Sequence, residues 1–331
     1  MERRKFLALL FCSVSPPTLG SPPVVAQGRY PDHPIRLIVP RSAGGVVDVV
    51  ARLWGEQVKP HLGSVIIENE NQGGGGGTIA ASAVARAKPD GYTLLAGTTA
   101  ELVIDPAIMS SLPYDPVRDL APVTITAISV SALMVHASLP VHTLSELVAY
   151  AKANPGKLSY GSAGVGSTAH LCAELFKKLA GLPNIVHVPY KGANPGLVDF
   201  YSGQLPMFAA SISSQVLAMH RQGKIRILVA GTDRHLQAAP EIPTNVEAGF
   251  PDLVTVLFMG VFAPAGTPHP IIDQIAGASR QAMADSAFQT RLIEAGFEPV
   301  MDSGPEQTAQ FIKEELVRWT PLLKASGIRV N

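Results

Sequence analysis

Cysteine and charged residues are both scarce in this chain of 331 residues: it has two cysteines, and Asp, Glu, Lys and Arg together supply 16%. The formal net charge is zero and no basic stripe follows the N-terminus, which argues against a nucleic-acid partner. Aromatic residues are also few, at 6%, yet hydrophobic residues reach 47%. A chain of this length and composition can fill the cores of two domains, and disorder is not expected.

Long apolar runs are absent as well, because no segment reaches the ~20 apolar residues that a membrane-spanning helix needs. The N-terminus has the three regions of an export signal: a basic Arg3–Lys5, an apolar Phe6–Val14 and a small residue at Ala26. Four prolines between positions 16 and 23 disfavour a buried first helix. We predict cleavage near Ala26 and a periplasmic mature protein, and the letters "ERRKFL" leave twin-arginine export open as the route.

Removal of residues 1–26 changes two properties of the chain. Lys plus Arg falls from 26 to 23 and Asp plus Glu from 26 to 25, so the mature net charge becomes −2. Cys12 is lost, which leaves Cys172 without a partner and excludes a disulfide within the chain. Cys172 lies beside Leu171 in a helical pattern, and we interpret it as a core residue rather than a nucleophile.

Strand and helix patterns alternate from residue 34 onward. "IRLIVP" predicts a buried strand, and "VVDVVARLWGEQVKPHL" predicts a helix with apolar residues at every third or fourth position. The strands "SVIIEN" and "YTLLAG", with a glycine loop and a helix between them, complete a βαβαβ order that predicts a parallel sheet. Farther on, Thr143 and Glu146 have capping-box spacing at a helix start. Proline-rich stretches near Pro122 and Pro264 are candidate crossing points between two lobes.

The triplet Ser-Ala-Gly occurs twice between a predicted strand and a predicted helix, at Ser42–Gly44 and Ser162–Gly164. A glycine turn lets the backbone approach a ligand closely, and the helix that follows offers unpaired N–H groups and a positive dipole end. The N–H groups around Ser42–Val46 and Ala163–Thr168 would therefore suit a carboxylate or a phosphate. Such turns with Ser or Thr caps are also common for purely structural reasons, so both interpretations stay open.

Other chemical motifs are missing. The loop "NQGGGGGT" lacks the Gly-Lys-Ser/Thr of a phosphate-binding loop, no G-x-S-x-G elbow is present, and the histidines have no zinc-ligand spacing. We therefore expect no metal and no cofactor. His170 is interpreted mainly as a packing residue, and Asp48 either pairs with Arg52 or caps its own loop. Arg41 is either a surface residue or a bidentate donor to a ligand carboxylate.

Several ordered motifs resemble the Bug, or tripartite tricarboxylate receptor, family of exported solute-binding proteins. They include "YPDHPIRLIVP", "GGVVDVVAR", "TIAASAVARAKPDGYTLLAGT", "LPYDPVRDLAPVT", "NPGKLSYGSAGVGSTAHL", "HVPYKGANPGLVDFYSGQ" and "FAPAGTP". The resemblance implies an α/β, two-lobed type II periplasmic binding protein, with each lobe a mostly parallel sheet flanked by helices. It also implies a monomer without enzymatic activity that captures a small carboxylate and presents it to membrane transporter subunits or to a sensor domain.

The same resemblance divides the chain and locates the ligand. It implies a first lobe of residues 27–128 plus 255–331, a second lobe of residues 129–254, and hinge strands near 124–132 and 250–262. The ligand would be held by the two junction loops and by a third loop after "TLLAG". The candidate binding residues are Arg41, Ser42, Ala43, Gly44, Gly45, Asp48, Thr98, Thr99, Ser162, Ala163, Gly164, Gly166, Ser167, Thr168 and His170.

Three departures from the family pattern bear on the ligand. Arg41 and Ala43 stand where the family usually has an aromatic residue and a proline, Ala210 stands where an aspartate is frequent, and Phe258 replaces a frequent tryptophan. These changes favour a dicarboxylate or an aromatic carboxylate over an amino acid. The alternative function is an exported serine hydrolase that uses Ser162 or Ser167 with His170 and an acid such as Asp199.

Overall fold

The computed structural model describes residues 30–41, 43–73 and 77–326. The predicted export signal and its cleavage near Ala26 lie outside the described residues, as does the candidate binding residue Ser42. From Pro31 onward the chain forms one unit in which strands and helices alternate. In the part that is described, no helix is both long enough and apolar enough to cross a membrane.

The described residues contain ten β-strands. The strands Ile35–Val39 and Thr93–Thr98 are short and largely buried, because helices pack over the sheet there. In chain order the strands are β1 (Ile35–Val39), β2 (Ile67–Asn71), β3 (Thr93–Thr98), β4 (Leu120–His136), β5 (Ser159–Ser162), β6 (Val186–Pro189), β7 (Met207–Ser211), β8 (Ile225–Ala230), β9 (Val256–Pro264) and β10 (Glu298–Pro299).

Helices connect most of these strands, with a 3₁₀ turn at Lys59–Leu62 and a π-helical turn at Ala100–Ile104. In chain order the helices are α1 (Val46–Val58), α2 (Thr78–Ala85), α3 (Asp105–Ile108), α4 (Leu144–Ala153), α5 (Thr168–Ala180), α6 (Ala193–Tyr201), α7 (Ser214–Arg221), α8 (His269–Met283), α9 (Ser286–Glu294) and α10 (Pro305–Ser326). The predicted cap of α4 is confirmed, since Thr143 Oγ1 accepts the Glu146 N–H at 3.1 Å.

The sheet has the strand order β2-β1-β3-β9-β4-β7-β5-β6. Strand β1 runs parallel to β2 and β3, and β5 runs parallel to β6 and β7, as the βαβ patterns predict. Strands β9 and β4 join these two parallel groups and pair with their neighbours in the antiparallel direction. The fold is therefore mixed α/β, with a parallel group on each side of an antiparallel centre.

Strand β4 changes partners in its middle. Its first part pairs with β9 as far as Val130, and from Ser131 onward it pairs with β7 and β8. At the change, the Ser131 N–H donates to the Thr255 carbonyl at 2.9 Å, and the Ser131 carbonyl accepts the Gly231 N–H at 2.8 Å. The proline-rich stretches near Pro122 and Pro264 lie at the other end of the β4–β9 ladder.

Strand β4 contributes to two clusters of buried apolar side chains among the described residues. Leu133 and Val135 belong to one cluster, whereas Ala132 and Met134 belong to the other, because alternate residues of a strand point to opposite faces. Cys172 on α5 lies in the first cluster and is fully buried, which confirms its interpretation as a core residue. Burial raises the pKa of its thiol to about 12.

Candidate functional site

The first junction joins β1 to α1 through residues 40–45. Gly44 has a φ of 77°, a conformation that costs glycine little, and Gly45 is the extended residue that precedes α1. The N–H groups of Val46 and Val47 have no hydrogen-bond partner in the part of the chain that is described. The junction therefore has the open helix start that the sequence predicts.

Asp48 on α1 holds the loop of this junction by hydrogen bonds. Its buried carboxylate accepts the Gly44 N–H at 2.8 Å, Arg52 Nε at 2.9 Å and Asn71 Nδ2 at 2.9 Å. Burial alone would raise its pKa, but the hydrogen bonds from Arg52, Gly44 and Asn71 outweigh burial and lower it. Both readings of Asp48 are thus correct, since it pairs with Arg52 and caps its own loop. A negative charge of the protein itself already lies in the first turn of α1.

Arg41 is engaged by a residue that the sequence analysis did not single out. Its Nη1 donates to the Pro40 carbonyl at 2.8 Å and to Glu101 Oε1 at 2.6 Å. The Glu101 side chain is fully buried, whereas that of Arg41 is about one-third exposed, at 33%. The carboxylate of Glu101 therefore balances the guanidinium charge of Arg41, and a ligand carboxylate is not needed for this.

Glu101 links the first junction, through Arg41, to the loop after β3 and to the segment that carries Tyr114. Its Oε2 accepts both the N–H and the Oγ1–H of Thr98, at 3.0 and 2.6 Å, and its carbonyl accepts the Tyr114 hydroxyl at 2.9 Å. A methyl group at Gly77, at the end of the glycine loop, would overlap both the Glu101 carboxylate and the Arg41 guanidinium. The spacing of Thr98 and Glu101 is that of a capping box, and this is the sequence signal that could have revealed Glu101.

The third loop is tied to the centre of the sheet. Thr99 Oγ1 accepts the Phe258 N–H at 2.9 Å and lies 3.4 Å from the Val256 carbonyl. The side chains of Thr98 and Thr99 are fully buried, and their hydroxyls bond to the protein. These two residues therefore fix the loop beside β9.

The second junction joins β5 to α5. Gly164 and Gly166 have φ values of 120° and 80°, so the chain turns sharply before the helix. Ser167 Oγ donates to the Gly164 carbonyl at 2.7 Å and accepts the His170 N–H at 3.2 Å, which caps α5. Within the described residues, the N–H groups of Val165, Thr168 and Ala169 have no partner. This helix start is open and has no acidic residue in its first turn.

Neutral groups support this junction. The buried Ser162 Oγ lies 2.8 Å from His187 Nε2 and accepts the Gly164 N–H at 3.2 Å. The His187 ring stacks on the rings of His170 and Tyr160, with centroids 4.3 and 4.7 Å apart. Burial lowers the pKa of His170 and lowers that of His187 to about 4, so both rings are neutral at pH 7. His187 was also missed by the sequence analysis, because it lies 25 residues from Ser162.

Two of the loops approach each other across the molecule. The Ile108 Cδ1 atom in α3 lies 3.4 Å from the position that a Cβ atom on Gly166 would occupy. Since α3 directly follows the π turn that carries Glu101, the second junction faces the segment to which Arg41 is bound. His170 contributes its Nδ1 atom, which accepts the Gly166 N–H at 3.3 Å.

The geometry for serine hydrolysis is incomplete. Ser162 contacts His187 rather than His170, and no hydrogen bond from His187 to a carboxylate exists among the described residues. Ser167 is used as a helix cap, and Asp199 accepts the Tyr190 hydroxyl at 2.7 Å. No cluster of three or more His, Cys, Asp or Glu suited to a metal occurs in the part of the chain that is described.

Comparisons with known proteins agree with these features. The family described as tripartite tricarboxylate transporter family receptor matches residues 50–328. Protein BugT of Bordetella pertussis is 32% identical over 100% of this chain and 100% of its own length. The chain therefore belongs to the tripartite tricarboxylate receptor, or Bug, family.

Two solved structures of similar proteins contain a carboxylate. Rpa4515 of R. palustris with adipate is 33% identical, with a TM-score of 0.81, and the match covers 91% of this chain and 99% of that one. MatC of Rhodopseudomonas palustris with bound malate is 31% identical, with a TM-score of 0.77, over 89% of this chain and 100% of that one. The fold is thus that of the periplasmic binding proteins, and the similar proteins are solute-binding proteins.

Proposed function

We propose that this protein is an exported solute-binding protein that captures a small dicarboxylate or aromatic carboxylate and presents it to a tripartite tricarboxylate-type transporter. The observation that carries the proposal is the open start of α5, where the N–H groups of Val165, Thr168 and Ala169 have no partner in the described part of the chain. This helix start faces the α3 segment, so a ligand between them would meet both halves of the chain. Adipate and malate in the similar structures support a carboxylate as the ligand class.

The capture would occur between two lobes. We assign residues 27–128 plus 255–331 to one lobe and residues 129–254 to the other, with the hinge where β4 passes from β9 to β7. The hydrogen bonds among Ser131, Gly231 and Thr255 lie at this point, and few backbone angles need to change there for the lobes to rotate. Closure would bring the second junction onto the loops that Glu101 ties together.

In this proposal the protein performs no chemistry. A hydrolytic serine needs an accessible hydroxyl and a base that is itself oriented by an acid. Ser162 is fully buried, and the hydroxyl of Ser167 is hydrogen-bonded to the Gly164 carbonyl. These features favour binding over ester hydrolysis.

A carboxylate screen tests the proposal. The full-length chain would be expressed, recovered from the periplasmic fraction, and denatured and refolded to remove carried-over ligand. Thermal unfolding would then be followed with adipate, malate, citrate, terephthalate, benzoate and neutral amino acids. A ligand at a hundred times its dissociation constant stabilises the native state by ~2.7 kcal/mol. We expect stabilisation by one class of carboxylate only.

Two controls separate this function from the alternative. Hydrolysis of p-nitrophenyl acetate should equal the buffer rate, and it should not change in the S162A or S167A variants. Intact mass of the periplasmic protein should correspond to cleavage near Ala26, and gel filtration with light scattering should give a monomer. Ester turnover that disappears in S167A would favour the hydrolase, and no stabilisation by any carboxylate would contradict the binding proposal.

A further inference from the structure

Glu101, Asp105 and Ile108 form one stripe on a short helical segment. The segment consists of the π turn Ala100–Ile104 and α3, and residues four and three positions apart lie on the same face of a helix. One end of the stripe holds Arg41 of the first junction, and the other end reaches Gly166 of the second. Asp105 therefore lies between the two candidate binding loops.

Asp105 is buried and incompletely hydrogen-bonded. It is 8% exposed, and its Oδ2 atom has no hydrogen-bond partner among the described residues. Unpaired carboxylates are costly in such a position unless they hold a proton. Burial, together with the negative charge of Glu101, raises the pKa of Asp105 to about 7, and the positive charge of Arg41 opposes this increase.

The other charged groups near this segment come from two directions. Tyr114 lies beside Glu101, and burial together with the charges of Glu101 and Asp105 raises the pKa of its hydroxyl. Helix α10 packs on the other side of the segment. Its buried carboxylate, Glu315, is held by Trp319 Nε1 at 3.0 Å and by Arg318 at 2.8 Å. Burial raises the pKa of Glu315, and Arg318 and Trp319 oppose this increase.

These groups define the charge that an incoming ligand meets. Arg41 balances Glu101 and Arg52 balances Asp48, so the net charge of these groups together with Asp105 is zero when Asp105 is protonated and −1 when it is ionised. A carboxylate that binds at the first junction would be repelled by the ionised form. The protonated form imposes no such penalty.

We propose that Asp105 couples capture of a dicarboxylate to uptake of one proton, and that it thereby determines how much negative charge the first junction accepts. The proton comes from solvent and stays on the Asp105 carboxyl while the second carboxylate of the ligand occupies the first junction. This inference rests on the proposed function, since it assigns one end of the ligand to each junction. A monocarboxylate held by the start of α5 alone would bind without a proton.

The test measures the affinity and the proton stoichiometry of adipate binding. Isothermal titration calorimetry from pH 6 to 8, in pairs of buffers with different ionisation enthalpies, reports both quantities. If only the form with a protonated Asp105 binds, the dissociation constant should rise about tenfold from pH 6 to pH 8. About half a proton should be taken up at pH 7, because the group is then half ionised.

Two comparisons make the test specific. The D105N variant should take up no proton, and its affinity for adipate should be the same at pH 6 and pH 8. Monomethyl adipate, which carries one carboxylate, should bind the wild-type protein without proton uptake. This measurement uses only the wild-type protein, so it does not depend on whether D105N folds. Proton uptake that persists in D105N, or an adipate affinity that does not change with pH, would overturn the inference while leaving carboxylate capture intact.

The remaining outcome separates the inference from the function. If adipate, malate and terephthalate all fail to bind from pH 6 to 8, dicarboxylate capture and its proton uptake are both refuted. Stabilisation by benzoate, which carries one carboxylate, would still support the proposed carboxylate-binding function. If no carboxylate in the screen stabilises the protein, both the inference about Asp105 and the proposed function are refuted.

Discussion

The two junctions begin with the same tripeptide, yet opposite chemistry holds them in place. Around the first, three buried or partly buried charges fix the loops through Asp48, Arg41 and Glu101. Around the second, a serine, two stacked neutral imidazoles and a helix cap do the same work without a net charge. Identical local sequence therefore does not imply identical electrostatics, because the supporting residues come from elsewhere in the chain.

This difference divides the tasks of the proposed site. At α1 the negative charge of Asp48 already lies in the first turn, whereas α5 has no acidic residue in its first turn. We therefore expect a carboxylate to be stabilised better by the start of α5, because no acidic side chain of its first turn competes for the N–H groups and the helix dipole. We expect the second junction to supply most of the affinity and the first to select the other end of the ligand.

The largest effect should follow loss of the charge that holds the first junction together. In E101Q the Arg41 guanidinium loses its buried partner and Thr98 loses a charge-assisted acceptor, so we expect a loss of about 3 kcal/mol in the free energy of unfolding. The matched control is E70Q, which breaks the exposed Arg36–Glu70 pair and should cost less than about 1 kcal/mol. Urea unfolding measures both. Equal losses in the two variants would contradict the central position of Glu101.

A backbone substitution should break the same junction by a different route. In G77A the added methyl group overlaps the Arg41–Glu101 pair at a φ of 108°, and we expect a loss of about 2 kcal/mol or more. Gly223 also has a positive φ, 70°, but has open space around it, so G223A isolates the cost of the backbone conformation alone. Thermal unfolding of both variants gives the difference, and G77A should be the less stable.

A smaller loss is expected at the second junction. S162A removes the acceptor of the Gly164 N–H and the partner of His187, which should cost about 1–2 kcal/mol and weaken carboxylate binding. Its control is S138A, which breaks a similar Ser–His contact with His136 that is solvent-exposed. Chemical unfolding and ligand titration should show no change for S138A. A fully neutral S162A would mean that the loop keeps its shape without this hydroxyl.

Two opposite pH responses should also distinguish the groups around the two junctions. The pKa of His187 is lowered from 6.5 to about 4, so its contribution to stability is present above pH 6.5 and is lost as the pH falls towards 4. The pKa of Asp105 is raised from 3.8 to about 7, so its contribution is present below pH 4 and is lost as the pH rises to 7. Unfolding measured from pH 4 to 8 should therefore become less acid-sensitive in H187Q and less alkali-sensitive in D105N. If either variant keeps the wild-type dependence of unfolding on pH, the substituted group does not cause that part of the pH response.

The sequence predicted the local units of this molecule well and their partners poorly. Strand, glycine turn and capped helix are encoded within about ten neighbouring residues, which is why both junctions and the cap at Thr143 agree with the structure. The Arg41–Glu101 and Ser162–His187 contacts join residues 60 and 25 positions apart. Nothing in the spacing of a single sequence specifies such pairs, although the capping-box spacing of Thr98 and Glu101 gave one unused signal.

The central strand illustrates the same limit. Strand β4 begins at Leu120 and includes Pro122, although proline is usually confined to edge strands, strand starts and bulges. Its position between β9 and β7 reverses the chain direction relative to both. Pairing of this kind depends on which distant segments bury the same apolar face, and that is decided by tertiary packing.

Strand β4 also has a consequence for how the chain reaches its native state. Among the described residues, the strands that pair with β4 are β7, β8, β9 and β10, and all four lie later in the chain, from Met207 onward. The polypeptide leaves the ribosome with its N-terminus first. The seventeen residues of β4 therefore have no strand to pair with until the C-terminal half of the chain has been made. Pairing of such distant segments is slow, and an unpaired strand edge invites association with other chains. Synthesis that stops before Val256 should therefore yield an aggregating polypeptide rather than a smaller folded protein.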